Sequence, residues 1–213
     1  FPMIAGKHKG AGMLLYPAQV AEVLAPIAEY PEIQFSLKMR LGWENASECM
    51  VLVELLNAIR LSRIALHART GKQQYKGHPD LEAFQGFYEL CQHPLYYNGG
   101  IESLSDIRQI LTRFPLLKGV FIGRGLLSSP LLAKEFKGNE TFLPEQRMSI
   151  YFAFHEELFS AYSQVLQGET QLLVKMKTLW EYFLPETDRK LLKRIKKSTR
   201  LQQYTESVKA IFT

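Results

Sequence analysis

The stretch SRIALHART, residues 62–70, decides the fold. An apolar run with Ile64 and Leu66 ends in polar side chains that include His67 and Arg69. Strands of parallel α/β proteins are short and apolar, and functional groups gather at their carboxyl ends. The stretch therefore predicts a buried strand that presents a histidine and an arginine at one edge of a sheet.

Similar stretches lie on both sides of this one. FSLKMRLG (35–42) precedes it, and PLYYNGG (94–100) and LKGVFIGRG (117–125) follow it. After each of them comes a segment with helical spacing of apolar residues, at about residues 46–59, 78–90, 103–114 and 128–136. Four strand-then-helix cycles in succession predict the α/β class, with parallel strands joined by crossover helices.

Two of these helices carry start signals. Pro79 and Asp80 are predicted to lie in the first turn of the helix over 78–90. Ser129 is predicted to cap the last helix, with Pro130 at its first position. An earlier helix is predicted from Ala18 to Ala28.

The chain from Leu143 onward has helical patterning and no strand signal. Lys137, Gly138 and Asn139 are predicted to form a linker before it. The sequence therefore predicts an α/β domain over residues 1–137 and a second, all-helical domain over residues 138–213.

Composition narrows the class of protein. The 213 residues carry a formal net charge of +5, and the apolar runs are far shorter than the roughly 20 residues that cross a bilayer. A cytoplasmic protein without a membrane segment is predicted. Cys49 and Cys91 lie on predicted helices, which favours buried thiols over a disulfide, and no metal site is predicted.

A basic segment lies in the helical part of the chain. From Arg189 to Arg200 it has seven lysine and arginine side chains and no acidic residue. Such a segment suits a helix that contacts phosphates, and it also suits a solvated helix face.

Polar residues and glycines end all four predicted strands. They are Lys38 and Arg40, then His67 and Arg69, then Asn98, Gly99 and Gly100, and finally Gly123 and Arg124. Each alone has a structural explanation, because a histidine can be a structural hydrogen-bonding group and glycines can serve a turn. Together they indicate a phosphorylated cofactor or substrate, since the glycines and Arg124 suit an anion.

The motifs KMRLG (38–42), LHARTGKQQYKG (66–77), YYNGGI (96–101) and GVFIGRGLL (119–127) resemble a known family in their order and spacing. They are similar to the second half of the tRNA-dihydrouridine synthases, FMN-dependent barrel enzymes with a C-terminal helical domain. KHKGAGMLLYP (7–17) resembles the loop after the family's fourth barrel strand. The resemblance implies a partial (β/α)8 TIM barrel, its last four β/α units, followed by the helical domain.

The resemblance also implies roles for individual residues. Residues implied to bind FMN are Lys38, His67, Asn98, Gly99, Gly100, Gly123 and Arg124. Residues implied to face the tRNA or its uridine are Arg40, Arg69, Lys72 and Tyr75, and the basic helix with Lys193 and Lys197 is expected to dock tRNA. Gly100 departs from the family pattern, which usually has an acidic residue there.

The family reduces uridine in tRNA to dihydrouridine with NADPH, FMN and a proton-donating cysteine of a G-C-P motif. That motif is absent from this sequence, so no catalytic residue is assigned within it, and the cysteine is expected just upstream of Phe1. With it, the first half of the barrel is expected to precede the chain, and this chain alone is expected to be inactive.

Two expectations about partners follow. Four strands cannot close an eight-stranded barrel, so the outer edges near Leu37 and Phe121 would be exposed, and a homo-oligomer through these edges is predicted. Two alternatives to the tRNA enzyme remain open at this point: another FMN-dependent barrel oxidoreductase acting on a small molecule, or a non-catalytic RNA-binding fragment.

Overall fold

A computed structural model describes residues 8–212 of the protein. The described residues divide into two compact units. The first runs to Ile101 and also includes Ser105–Ile122, and the second contains Glu102–Leu104 and the residues from Gly123 on. The start of the predicted basic loop, through Lys7, and the expected place of the proton donor lie outside the described residues.

The first unit is built on a parallel four-stranded sheet. Its strands are β1 (Ser36–Gly42), β2 (Arg63–Thr70), β3 (Leu95–Asn98) and β4 (Gly119–Phe121). They pair in the order β1-β2-β3-β4, each parallel to the next. The four strands predicted from the sequence are confirmed, and so is the α/β class.

Helices connect the strands and precede the first one. A 3-10 helix (Gly10–Leu15), α1 (Pro17–Leu24) and a second 3-10 helix (Ala25–Glu29) come before β1. α2 (Glu48–Val51) and α3 (Val53–Asn57) follow β1, α4 (Leu81–Leu90) follows β2, and α5 (Leu104–Arg113) follows β3.

Three predicted helices differ in detail from those observed. The helix predicted from Ala18 to Ala28 ends at Leu24 and continues as a 3-10 helix. The single helix predicted over 46–59 is two short helices that meet at Leu52. Asp80 precedes the first turn of α4 as its N-cap, where its side chain accepts a hydrogen bond of 2.9 Å from the backbone N–H of Ala83.

The core of the first unit lies between one face of the sheet and the helices. Ile64 and Leu66 of β2 are fully buried, and the ring of Tyr97 on β3 contacts Phe84 of α4 edge to face with centroids 4.9 Å apart. Phe114, just after α5, contacts the same Phe84 ring at 5.0 Å. Burial of these large apolar side chains holds the helices against the sheet.

The second unit is helical. Its helices are α6 (Arg124–Ser128), α7 (Leu132–Gly138), α8 (Pro144–Val165), α9 (Glu169–Leu179), α10 (Arg189–Lys197) and α11 (Leu201–Phe212). The helical character predicted after Leu143 is observed. The domain boundary between residues 137 and 138 stays a prediction, whereas the compact units divide at Ile122 and Gly123.

Two local predictions in this unit are wrong. Ser129 follows α6, and the next helix begins at Leu132, because the segment 128–136 contains the end of one helix and the start of another. Lys137 and Gly138 form the last turn of α7 and are not a linker. Asn139 ends that helix in the left-handed conformation, with φ 48°, as asparagine tolerates.

A buried polar network joins three helical segments of the second unit. The hydroxyl of Tyr204 accepts from Trp180 Nε1 at 2.9 Å and lies 2.6 Å from Nε2 of His155, to which it donates. His155 Nδ1 then donates to Glu156 at 3.1 Å. Burial lowers the pKa of His155 below its ordinary value and raises that of Tyr204, so both side chains are neutral at pH 7.

Replacing Tyr204 with Phe should destabilise the helical unit, because the Trp180 N–H and the His155 Nε2 would each lose a buried partner. We expect the free energy of unfolding to fall by about 1 to 3 kcal/mol, measured by urea denaturation. Tyr182→Phe is the matched control, since Tyr182 is exposed. Equal effects of the two substitutions would contradict the role given to the network.

Candidate functional site

The register of the sheet brings the predicted strand-end residues together. Arg40 pairs with His67, His67 with Asn98, and Asn98 with Phe121. Residues paired in this way point to the same face, and neighbouring strands lie about 4.8 Å apart. Arg40, His67 and Asn98 therefore form a row across three strands on the face opposite the core.

Lys38 lies on the same face, two residues before Arg40 and paired with Ala65. Its side chain is exposed and has no hydrogen-bond or ion-pair partner among residues 8–212. Desolvation, with a further contribution from the charge of Arg40, lowers the pKa of Lys38. A cation in this position would gain from a nearby electronegative or anionic ligand group.

Arg40 holds the loop that follows β2. Its guanidinium donates to the carbonyl of Thr70 at 2.9 Å and to that of Gln74 at 3.1 Å. It also lies 5.8 Å from the centroid of the Tyr75 ring, whose side chain is 58% exposed. Desolvation lowers the pKa of Arg40, although the group stays charged near neutral pH. The pair thus places a half-buried cation, Arg40, beside an exposed aromatic ring, Tyr75.

His67 and Arg69 are buried together. Arg69 NH1 lies 3.4 Å from Nε2 of His67, and its NH2 donates to the carbonyl of Gly77 at 3.0 Å. A guanidinium only donates, so this contact makes Nε2 of His67 an acceptor. The contacts show Arg69 supporting His67 and the loop to Gly77. Its predicted contact with tRNA or uridine stays a prediction.

Asn98 and its two glycines end β3. The side-chain amide of Asn98 donates to the carbonyl of Phe121 at 2.7 Å and so joins the end of β3 to β4. Gly99 is buried beside His67, and Gly100 is exposed. The predicted phosphate-side residues of this loop therefore lie beside the predicted flavin-contacting histidine.

The remaining predicted residues lie elsewhere. Gly123 is the N-cap of α6 and Arg124 its first residue, and both belong to the second unit. Lys72 is exposed and forms an ion pair with Glu44. A role of Lys72 in binding tRNA would thus require it to exchange that partner for a phosphate.

Lys193 and Lys197 lie on one face of α10 and line an open cleft of about 530 Å³. Lys190 and Arg194 complete the cationic wall, and Gln203 and Glu206 of α11 line the cleft as well. Residues 190, 193, 194 and 197 are spaced three and four apart, so they share a helix face. The basic segment predicted from the sequence is thus an exposed cationic surface of the second unit.

Sequence reasoning missed Trp43, in the loop after β1, and Glu48, the first residue of α2. The carboxylate of Glu48 accepts hydrogen bonds from the backbone N–H groups of Trp43 at 2.7 Å, Glu44 at 3.1 Å and Asn45 at 2.7 Å. The indole of Trp43 packs on Gly71, where an added Cβ would lie 2.1 Å from Cε3 of the ring. The signal available in the sequence was Gly71 itself, which directly follows the strand motif.

Among the described residues, no cluster of three or more histidine, cysteine, aspartate or glutamate side chains could hold a metal ion. None of the helices within residues 8–212 is long and apolar enough to cross a membrane.

Comparison with known proteins identifies the family. The family model described as "Dihydrouridine synthase (Dus)" matches residues 2–212. The chain belongs to the dihydrouridine synthase family. The matched residues include the row Arg40, His67 and Asn98 as well as the basic helix α10.

Individual relatives of this family are similar at modest identity. A probable tRNA-dihydrouridine synthase of Aquifex aeolicus is 34% identical over 135 residues, which are 62% of this chain and 42% of that protein. One of Rhizobium leguminosarum bv. phaseoli is 30% identical over 128 residues, 60% of this chain and 40% of that protein. A tRNA-dihydrouridine(16) synthase of Haemophilus ducreyi is 30% identical over 139 residues, which are 64% of this chain and 42% of that protein. The chain matches about two fifths of the length of these relatives.

Gly100 should not accept a side chain without cost. Its φ is +62° and an added Cβ would lie 2.9 Å from Cγ of Pro79. Gly77 has nearly the same φ, +63°, but more space, since an added Cβ would lie 3.5 Å from its nearest neighbour, Nε2 of Gln73. Gly77→Ala should cost about 1 to 2 kcal/mol of unfolding free energy for the left-handed backbone alone.

Gly100→Ala should cost more than Gly77→Ala, because the clash with Pro79 adds to the same backbone cost. Thermal or urea denaturation of the two variants side by side measures the difference. Equal destabilisation would show that Pro79 yields without cost and that the glycine is needed for its φ alone.

Proposed function

We propose that this protein acts as a tRNA-dihydrouridine synthase, which reduces uridine in tRNA to 5,6-dihydrouridine with FMN as its flavin and NADPH as reductant. The observation that carries the proposal is the row Arg40, His67 and Asn98, with Lys38 on the same face, inside a chain that belongs to the family. The names of the relatives point to tRNA as the substrate.

The residues on this face fit an FMN. Lys38 offers a cation without a partner among the described residues, and Nε2 of His67 is oriented by Arg69. A flavin ring carries carbonyl and nitrogen acceptors, which suit an ammonium group. Gly99 and Gly100 suit a phosphate because a glycine has no side chain to keep a ligand from the backbone N–H groups. The bound flavin would supply the hydride that reduces the uracil ring.

Each group of residues would have its own part in the reaction. Lys38 and His67 would hold the flavin ring system, while Asn98, Gly99 and Gly100 would line its phosphate side. Gly123 and Arg124, at the start of α6 in the second unit, would bind phosphate. A guanidinium such as that of Arg124 binds phosphate in a bidentate manner, and this favours arginine there.

Arg40 and Tyr75 would receive the uridine. Tyr75 is exposed, and Arg40 is half-buried and held by two carbonyl groups, so it can orient a polar ring without losing its own support. A uridine must leave the folded tRNA to reach a flavin, and cationic and aromatic side chains favour such an extruded base. Lys72 and Arg69 would act at the rim of this pocket.

The sheet would be the second half of a (β/α)8 barrel. Parallel strands in sequential order, joined by helices, are the arrangement of neighbouring strands in such barrels. The outer edges of β1 and β4 have no partner strand among the described residues, and a homo-oligomer through these edges would cover them.

The second unit would dock the tRNA. The exposed cations of α10 form a surface on which phosphates can bind, and release of counterions would make that binding depend on salt. A protein whose substrate is tRNA would act in the cytoplasm. A small-molecule oxidoreductase would have no need of this cationic surface.

Neutralising Lys193 and Lys197 together, as Lys193→Gln and Lys197→Gln, should weaken tRNA binding and flatten its salt dependence. The slope of log K against the logarithm of the salt concentration is negative, and each lost phosphate contact makes it shallower by about 1. We therefore expect the slope to become shallower by about 2 in the double variant. The measurement is a filter-binding or anisotropy titration with unmodified tRNA at several salt concentrations.

The control is the pair Lys137→Gln and Lys175→Gln, which removes the same charge from exposed positions outside the cleft. A slope that falls equally in both pairs would indicate general attraction to the net charge. Wild-type protein that binds no tRNA at any salt concentration would overturn the proposed function in favour of a small-molecule substrate.

A further inference from the structure

The loop after β1 is ordered around a single carboxylate. Glu48 receives the N–H groups of three consecutive residues, Trp43, Glu44 and Asn45. Successive backbone N–H groups that converge on one anion form a nest, and hydrogen bonds to a charged acceptor are stronger than neutral ones. Glu48 therefore fixes the path of the backbone from residue 43 to residue 45.

This loop is in turn joined to the loop after β2 at several points. The N–H of Gly71 donates to the carbonyl of Gly42 at 2.8 Å, and that of Lys72 donates to the carbonyl of Trp43 at 2.9 Å. The Trp43 indole covers Gly71, and Lys72 pairs with Glu44. The two loops thus form one clamp, defined here as residues 42–48 and 70–75.

The clamp ends at the proposed uridine pocket. The carbonyl groups of Thr70 and Gln74, which accept from Arg40, both belong to it, and Tyr75 is its last residue. Lys38, His67 and Asn98 take their positions from the sheet instead. The clamp therefore holds Arg40 and contains Tyr75, and it meets the proposed flavin-contacting residues at the Tyr75 ring, whose centroid lies 6.4 Å from that of His67.

We infer that Glu48 is a positioning residue for the substrate. It holds the clamp in the arrangement that sets Arg40 and Tyr75 for the extruded uridine, and it touches neither. The inference rests on the proposed function, because it takes the occupant of that pocket to be a uridine of tRNA.

Glu48→Gln is the variant that tests this role. The substitution keeps the size of the side chain but replaces one acceptor oxygen with a donor, so at least one of the three N–H groups loses its partner. Hydrogen exchange followed by mass spectrometry should show faster exchange at the amides of Gly71 and Lys72. Glu54→Gln, an exposed position in α3, is the matched control and should leave that exchange unchanged.

Affinity for unmodified tRNA, at fixed salt, should fall about tenfold in Glu48→Gln, as expected for the loss of one oriented charge-assisted contact. In an Arg40→Gln background the same change should have a smaller further effect, because one of the two residues through which Glu48 acts is already gone. If Glu48 had only a structural role, the losses of tRNA affinity caused by Glu48→Gln and by Arg40→Gln would be additive.

The outcomes separate the inference from the proposed function. Additive effects of the two substitutions, or faster exchange in the clamp without loss of tRNA affinity, would overturn the inference and leave the proposed function standing. Exchange that does not change in Glu48→Gln would also overturn the inference. Absence of tRNA affinity in the wild-type protein would overturn the proposed function itself, and with it the inference that rests on it.

Discussion

The parallel register of β1, β2 and β3 is the constraint on which the rest of the site depends. Because Arg40 pairs with His67 and His67 with Asn98, three residues that lie far apart in sequence share one row on one face. The side-chain period of a strand is two, so a slip by one residue would send any of them into the core. Burial of Ile64, Leu66 and Tyr97 on the other face makes such a slip costly and keeps the row in place.

The structure separates two kinds of positioning. The residues assigned to the flavin in the first unit take their places from strands, which are rigid and held by the core. Those assigned to the uridine, Arg40 and Tyr75, also depend on the two loops joined by Trp43, Gly71 and Glu48. A loop surface can differ between related proteins without disturbing the sheet.

Much of this arrangement could be predicted from the sequence, because the strand motifs are local. The runs that contain Lys38, His67 and Asn98 combine apolar residues with polar ends, and their order predicts parallel strands. The break between α2 and α3 at Leu52 and the extension of α7 through Gly138 could not be predicted, since helix boundaries depend on weak local preferences. The burial of Arg69 and the role of Glu48 were missed because they arise from contacts between separate loops, which no local pattern records.

The central claim is that the sheet face carrying Lys38, His67 and Asn98 binds the flavin. The most direct test is the dissociation constant for FMN of the wild-type protein, Lys38→Ala and Lys118→Ala, the last an exposed lysine just before β4. Loss of a charge-assisted hydrogen bond should make the free energy of FMN binding of Lys38→Ala less favourable by about 1.5 to 3 kcal/mol. Lys118→Ala should bind FMN as the wild type does. An unchanged FMN affinity in Lys38→Ala would contradict the claim.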